Sequence, residues 1–335
     1  MGALGDLGGL IMTPLYYAIS AVLVAWHWML TQIGLDPDSG LTWVLSVIGL
    51  TLTVRAALIP LFVKQIKSSR NMQLIQPKVK ELQKKYGHDR ERLAQETMKL
   101  YKESGTNPFA SCLPILIQMP IFLALFRLLD HHAAKGDGKA FITTELAHSF
   151  QNAELFGVIP LKATFLKADG STAVMVVAAL LVIAMTATTF TTQRQLMSKN
   201  MPADALSGPY AQQQKLLLYV LPVVFAVGGI AFPIAVLFYW TTSNLWTMGQ
   251  QFYVIRNNPA PGTAAETAKK ERDRLKAEKH GRKVEPEAEA LPVVEEPRPQ
   301  ARQQPKKQSK KQRKQTPGQR PSPTPKPKTE GGTDA

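Results

Sequence analysis

Cysteine is nearly absent from this chain of 335 residues. Cys112 stands alone, so neither a disulfide framework nor a CxxC metal or redox pair is available. Catalytic signatures are missing as well. The chain contains no HExxH, no GxSxG and no GxxxxGK[ST], the spacings that zinc proteases, serine hydrolases and phosphate-binding loops require. His131 and His132 adjoin one another with no third ligand at metal spacing, and they read as surface residues. No internal repeat is visible, which weakens any transporter built from inverted halves. Asp6 is the only charge before Tyr16; without a basic n-region, no cleavable secretory leader is expected.

What the chain has is long apolar runs. It is 45% hydrophobic, yet its mean hydropathy is −0.09, because two unlike parts are averaged. Residues 1–256 carry the apolar runs, whereas 257–335 has little with which to build a core and is expected to be a disordered basic tail. Five runs, 41–62, 110–130, 172–192, 215–231 and 233–252, are apolar and long enough to cross a bilayer. The N-terminal segment 1–40 contains a sixth apolar stretch, 14–33, with Tyr16, Tyr17, Trp26, His27 and Trp28. Aromatics at this density favour the membrane–water boundary. A helix lying in the interface is expected there, with a sixth span as the alternative.

Charge supplies a topology. Segment 63–109 holds 11 Lys/Arg against five Asp/Glu, while 131–171 holds four of each sign. The positive-inside rule therefore places 63–109 in the cytoplasm. Five spans then bring the tail back to the cytoplasm, in agreement with its own 19 basic and 11 acidic residues. Within 63–109, Ile75, Val79, Leu82 and Tyr86 form one helical stripe. Gly87-His88-Asp89 breaks it, and Asp89 can cap a second helix bearing Leu93, Thr97 and Leu100. An antiparallel helical hairpin is expected, and most of its lysines need be no more than a solvated face.

Arg55 lies inside the first apolar run, nine residues before Lys64, at a depth of roughly 13 Å for a helical rise. Snorkelling covers only part of that distance, so a wet or protein-lined cavity is expected around it. The plainer reading is an anchor near the membrane boundary. No Asp or Glu lies in the interior of any span, so Arg55 lacks an obvious counter-ion. Thr51 precedes it by one turn on the same face. Thr186, Thr189 and Gln193 give the third span a polar stripe, and Tyr239 through Asn244 make the fifth amphipathic. Each of these groups is also explained by ordinary hydrogen bonds between spans. Together with Arg55 they suggest a polar groove.

The stretch LTVRAALIPLFVKQIKSSRNMQLIQPKVKELQKKYGHDRERLAQETMKLYKESGTNPFASCLPILIQMPIFLALFRLL (50–129) resembles the core of the YidC membrane-protein insertases, and so does FPIAVLFYWTTSNLWTMGQQ (232–251). The resemblance runs from about 14 to 256. Its most specific pieces are the VR…P of the first span, LIQPKV, NPF…CLPILIQMPIF and FP…YW..SNL. It implies an all-α integral membrane protein, with a five-helix core over 41–256, an interfacial helix on the outer face, and a cytoplasmic helical hairpin. It further implies that Arg55 and Thr51 line a hydrophilic groove and that Trp240, with Tyr239 beside it, meets the passing chain. The hairpin, with Gln76, Pro77, Lys78, Tyr86 and Gly87, would receive substrate and contact ribosome or targeting factors. The chain departs from relatives that begin with an anchor span and a large outside domain, and is similar to the actinobacterial style of the family.

The function expected is insertion and folding of integral membrane proteins, without nucleotide, metal or other cofactor, in a bacterial plasma membrane. The implied partners are nascent membrane proteins, the Sec translocon, the ribosome and anionic lipids. The tail run QARQQPKKQSKKQRKQ (300–315) suits either rRNA or anionic lipid by charge, or a solubilising role without a partner. Two rivals remain, an anion transporter using Arg55 as its binding charge and a non-catalytic assembly factor for membrane complexes.

Overall fold

The computed structural model describes residues 2–107, 113–201 and 209–280. Cys112 and the tail from 281 onward, including 300–315, lie outside the described residues. The architecture is all-helical apart from one two-stranded hairpin. In chain order the helices are α1 (Gly2–Gln32), α2 (Gly40–Ala57), α3 (Ile59–Tyr86), α4 (Arg90–Glu103), α5 (Leu113–Phe126), α6 (Thr144–Asn152), α7 (Thr172–Asn200), α8 (Pro209–Gly229), α9 (Ile234–Asn257) and α10 (Ala264–Lys279). The strands are β1 (Glu154–Leu155) and β2 (Ile159–Pro160), paired antiparallel.

Each expected span is helical, with shifted limits. The run 41–62 does not form one helix: α2 stops at Ala57, and α3 starts after Leu58 with Pro60 in its first turn. Pro60 has no N–H to offer the carbonyl four residues back, so the axis breaks there while its fixed φ suits a new helix start. The break sits directly after Arg55. The second span, α5, continues into a π-helical turn, Arg127–His132, the kind of insertion that shifts the register of a helix face. Of the stretch 14–33, residues 14–32 belong to a longer continuous helix, α1.

The tail needs a correction. It was expected to be disordered from 257, but α10 occupies Ala264–Lys279. Thr263 caps it by accepting from the Glu266 amide at 3.3 Å, and Glu266 accepts from Gly262 N–H at 2.7 Å, a variant of the capping box. Three ion pairs at i,i+4 follow along its exposed surface, Glu266–Lys270, Lys269–Asp273 and Arg274–Glu278. They support a helix that its composition alone does not announce.

One end of the bundle is capped by the α5–α7 connection. Trp43, at 0% exposure, donates from Nε1 to Ser149 Oγ at 3.1 Å and meets the Phe150 ring edge-on at 5.2 Å. Gly40 lets β1 rest on the start of α2, since a Cβ there would lie 2.4 Å from the Glu154 carbonyl carbon. The first N–H groups of α9 have no intrahelical acceptor, and Pro233 supplies no side-chain cap. Loop carbonyls take their place: Ile234 N–H donates to Ala163 O at 3.0 Å and Ala235 N–H to Leu161 O at 3.1 Å. The α8–α9 turn is thereby fixed to the cap, and α3, α4 and α10 occupy the opposite end.

Small residues set the helix approaches, as they do where lipid removes the hydrophobic drive between spans. Trp26 of α1 lies on Gly49 of α2, where a Cβ would come within 2.3 Å of the indole, and its Nε1 donates to Thr53 at 2.9 Å. Gly229 of α8 meets Val182 of α7 in the same way. The buried core joins Val47 and Leu50 with Leu125, Val182 and Leu237. Leu180 and Ile183 of α7 and Val223 and Val227 of α8 are exposed instead, forming an outward apolar surface of the kind acyl chains cover. Gly40–Ala57 and Thr172–Asn200 are the described helices whose length and hydropathy suffice to cross a membrane.

Candidate functional site

Arg55 lies in the last turn of α2 inside the bundle, with only 9% of its surface exposed. Its Nε and Nη2 groups both donate to Ser243 Oγ of α9, the first at 3.1 Å. The guanidinium also lies 5.8 Å from the centroid of the Phe62 ring on α3. One turn before Ser243 on the same helix, Tyr239 is buried, and its hydroxyl accepts from Gln118 Nε2 of α5. Four helices thus converge on one cation: α2 supplies it, α9 and α3 touch it, and α5 holds the tyrosine beside it.

The electrostatics of this site are unbalanced. A guanidinium has five N–H donors, and among the described residues Arg55 spends two of them on a single neutral hydroxyl and forms no ion pair. A cation withdrawn from water without a counter-ion is costly. The remaining donors form a standing attraction for an acceptor from outside the fold. A narrow crevice runs beside the cluster between Leu58, Leu61, Phe62, Leu113 and Ile117, with Gln118 in its wall. It lies between the starts of α3 and α5, where the Leu58 break separates α3 from α2.

The other expected residues divide. Thr51 is buried on the face of Arg55, but its hydroxyl donates to Val47 O of its own helix at 2.7 Å. It can accept a bond from a visitor and has none left to donate. Trp240, adjacent to Tyr239, turns instead into an aromatic cluster with Phe122 and Phe225, each at 4.9 Å, and Phe232 at 5.5 Å. Thr189 accepts from Asn244 Nδ2 at 3.0 Å, and Thr241 donates to Leu181 O at 3.5 Å, so these groups join α7 to α9. The Thr186 hydroxyl is enclosed with no partner among the described residues.

The hairpin residues stand apart from this cluster. Gln76 lies 17 positions along α3 from Ile59, about 25 Å at helical rise. Pro77 and Lys78 are exposed, while Ile75 and Val79 are buried on the opposite face. Tyr86 is flanked by Lys85 at 5.2 Å and Arg92 of α4 at 5.1 Å, contacts of cation–π type. Gly87 closes α3, where a Cβ would meet Gln83 O at 2.6 Å. At the capped end His131 pairs with Asp130 at 3.2 Å and His132 meets Tyr16 edge-on; no cluster of three metal-ligating groups forms among the described residues.

Sequence reasoning placed Ser243 in the polar half of the fifth span without pairing it to Arg55, and it missed Gln118 as a member of the site. Ser243 is four residues after Tyr239, so the two share a face. Gln118 is the one polar side chain in LPILIQMPIFLALF, an interruption of a purely apolar helix and hence a signal.

Fold and site together define a helical integral membrane protein with a buried arginine that has no acidic partner among the described residues. The chain belongs to the family of the 60Kd inner membrane protein, whose description matches residues 34–261. It is 47% identical over 272 residues to a "Membrane protein insertase YidC" of Streptomyces avermitilis, covering 79% of this chain and 63% of that one. It is 36% identical to proteins of the same name from Tropheryma whipplei (76% of this chain, 86% of the relative) and Mycobacterium tuberculosis (72% and 71%). The chain therefore spans less than two thirds of the Streptomyces relative's length. A solved structure, "Active YidC insertase crystal structure with the first transmembrane domain resolved", is similar at a TM-score of 0.45 and 24% identity, over 71% of this chain and 46% of that one.

Proposed function

We propose that this protein inserts integral membrane proteins into the bilayer and assists their folding, using the Arg55 cluster as the receiving point for a polar client segment. The relatives named as insertases support the class of activity. The observation that carries the mechanism is Arg55, buried yet hydrogen-bonded, among the described residues, to the Ser243 hydroxyl alone. In this reading a short, often acidic, translocated segment enters along the crevice beside Phe62 and Gln118. Arg55 attracts it through a Coulomb interaction strengthened by the low local dielectric. The client's apolar helix then moves across the exposed faces into lipid, driven by burial worth about 0.8 kcal/mol per CH₂. The protein shortens the dry path that polar groups must cross.

In the same reading α3 and α4 project into the cytoplasm, with 63–109 the most basic segment between spans. Their exposed faces, with Lys78 and the Tyr86–Arg92 pair, receive clients from the ribosome or the Sec translocon. Segment 14–33 of α1 lies at the outer interface: its Tyr16 and Tyr17 contact His132 and Phe141 of the capped end. A photo-crosslinker at Ile117 or Phe62 tests the proposal, with a ribosome-stalled single-span client. Crosslinks that appear only once the client's apolar segment has left the ribosome are expected. Silence at both positions while the client still inserts would overturn the crevice as the route.

A further inference from the structure

A second cavity, of about 270 Å³, lies between the ends of α7 and α9 and the face of α10. Three cations line it, one from each helix: Lys199, Arg256 and Arg272. No Asp or Glu is among its lining residues. The ion pairs of α10 use Lys269, Lys270 and Arg274, so the three lining cations take part in none of them. Arg272 spends one N–H on the Arg256 carbonyl at 2.6 Å, which holds α10 against the end of α9 and keeps two guanidiniums at one opening. Like charges gathered this way repel unless an anion joins them.

The remaining walls specify the anion further. Phe252 and Ile255 make one side apolar, and Phe252 and Tyr253 are 54% and 65% exposed, as aromatics are where a span meets the headgroup layer. Gln195, also in the wall, keeps its Oε1 enclosed with no donor among the described residues. A ligand that matches the open walls carries a phosphate for the cations and an apolar body for Phe252. The size falls just below that of small-molecule pockets, about 300 Å³ and upward, which suits a headgroup better than a whole lipid. We propose that this cavity binds the headgroup of an anionic phospholipid from the leaflet at the hairpin end, and that α10 is the wall that completes it.

The inference rests on the chain lying in a membrane, not on its acting on clients, and its test contains no client. The full chain in detergent is supplied with phosphatidylglycerol, phosphatidylcholine or inorganic phosphate, and retained ligand is counted by native mass spectrometry. One phosphatidylglycerol per chain is expected to persist in preference to phosphatidylcholine. Ala268→Phe fills the cavity without changing any charge, and Lys199→Gln/Arg256→Gln removes two cations while leaving the Arg256 carbonyl in place. Ala268→Phe should weaken retention at least about tenfold by occlusion, and the double variant, which loses two charge-assisted contacts, by more than about tenfold. Lys270→Gln, on the exposed surface of α10, should change nothing. Equal retention by Ala268→Phe and the unaltered chain, or equal retention of the two lipids, would overturn the proposal. Displacement of the lipid by millimolar inorganic phosphate would overturn its lipid source.

Discussion

The Arg55 guanidinium donates twice to the Ser243 hydroxyl across the α2–α9 contact, 188 residues apart in the chain. A neutral oxygen thus holds a buried cation in place without discharging it. Ser243→Asp would add the missing carboxylate, and a buried pair with good geometry neutralises the field that a client would feel. That variant should keep or raise its thermal midpoint in detergent while acidic-tail clients insert roughly tenfold more slowly, about 1.4 kcal/mol of barrier. Ser243→Ala leaves the cation with no acceptor among the described residues and should cost about 1–3 kcal/mol of stability. If Ser243→Asp inserts clients normally, the uncompensated charge is not the working feature.

The charge itself can be exchanged. Arg55→Lys should retain much of the activity, because the role asks for a positive charge and not a bidentate fork. Arg55→Glu should impair clients with acidic translocated tails far more than those with neutral tails. Parallel insertion assays of the two client types read this out. A chain that only holds partner spans together would tolerate Arg55→Ala in the same assays.

Gly49→Ala probes the seat of α1. A methyl group at Gly49 would lie 2.3 Å from the Trp26 ring, and overpacking of that kind costs about 1–3 kcal/mol. The helix propensity gained over glycine, about 1 kcal/mol, offsets only part of it. Trp26→Ala in the same chain removes the clash, so a double-mutant cycle on unfolding should show coupling between the two changes. Additive effects would mean that α1 does not depend on this contact.

His132 gives the capped end a pH dependence. Burial first, and then the nearby Lys139, hold its pKa below the usual 6.5, with Asp137 opposing. The folded chain therefore prefers the neutral imidazole. The contribution is intact above pH 6.5 and is lost as pH falls through that value toward the lower folded pKa. Acidification from pH 7.5 to 5 should lower the thermal midpoint, and His132→Gln should lower it less. Identical pH profiles for the two chains would exclude His132 as a source.

Arg55 was legible in the sequence because a single charge in an apolar run stands out against its neighbours. Its partners were not, because the Ser243 and Gln118 contacts join positions on different helices that no local pattern relates. The spans were legible for the same reason as Arg55, through length and apolarity, whereas the break at Leu58 was carried by Pro60 and masked by the unbroken hydropathy around it. Thr189 illustrates the opposite case. Its place in a polar stripe suggested a groove, but a stripe says only that a face is polar, and here that face meets Asn244 on α9. In α10, Thr263 and Glu266 already spelled out a helix start, and the charged composition of 257–335 obscured it.

Beside the Arg272–Arg256 bond, Asn200 ties the connection before α10 to the end of α7 through one buried bond. Its Oδ1 accepts from Ala260 N–H at 2.8 Å, with Asn200 8% and Ala260 1% exposed. Asn200→Ala leaves that N–H buried and unpaired, at about 1–3 kcal/mol. A helix of 16 residues is marginal on its own in water, and its exposed i,i+4 pairs add only about 0.3–0.5 kcal/mol each. Undocking should therefore also melt α10. Proteolysis in the 258–263 connection and within α10 should accelerate, while the thermal midpoint of the membrane bundle stays where it was, because α10 packs on the ends of α7 and α9 and not on the buried core of the bundle. Unchanged cleavage in Asn200→Ala would show that α10 is held by the Arg272–Arg256 contact instead, and Arg272→Ala would then be the variant that frees it.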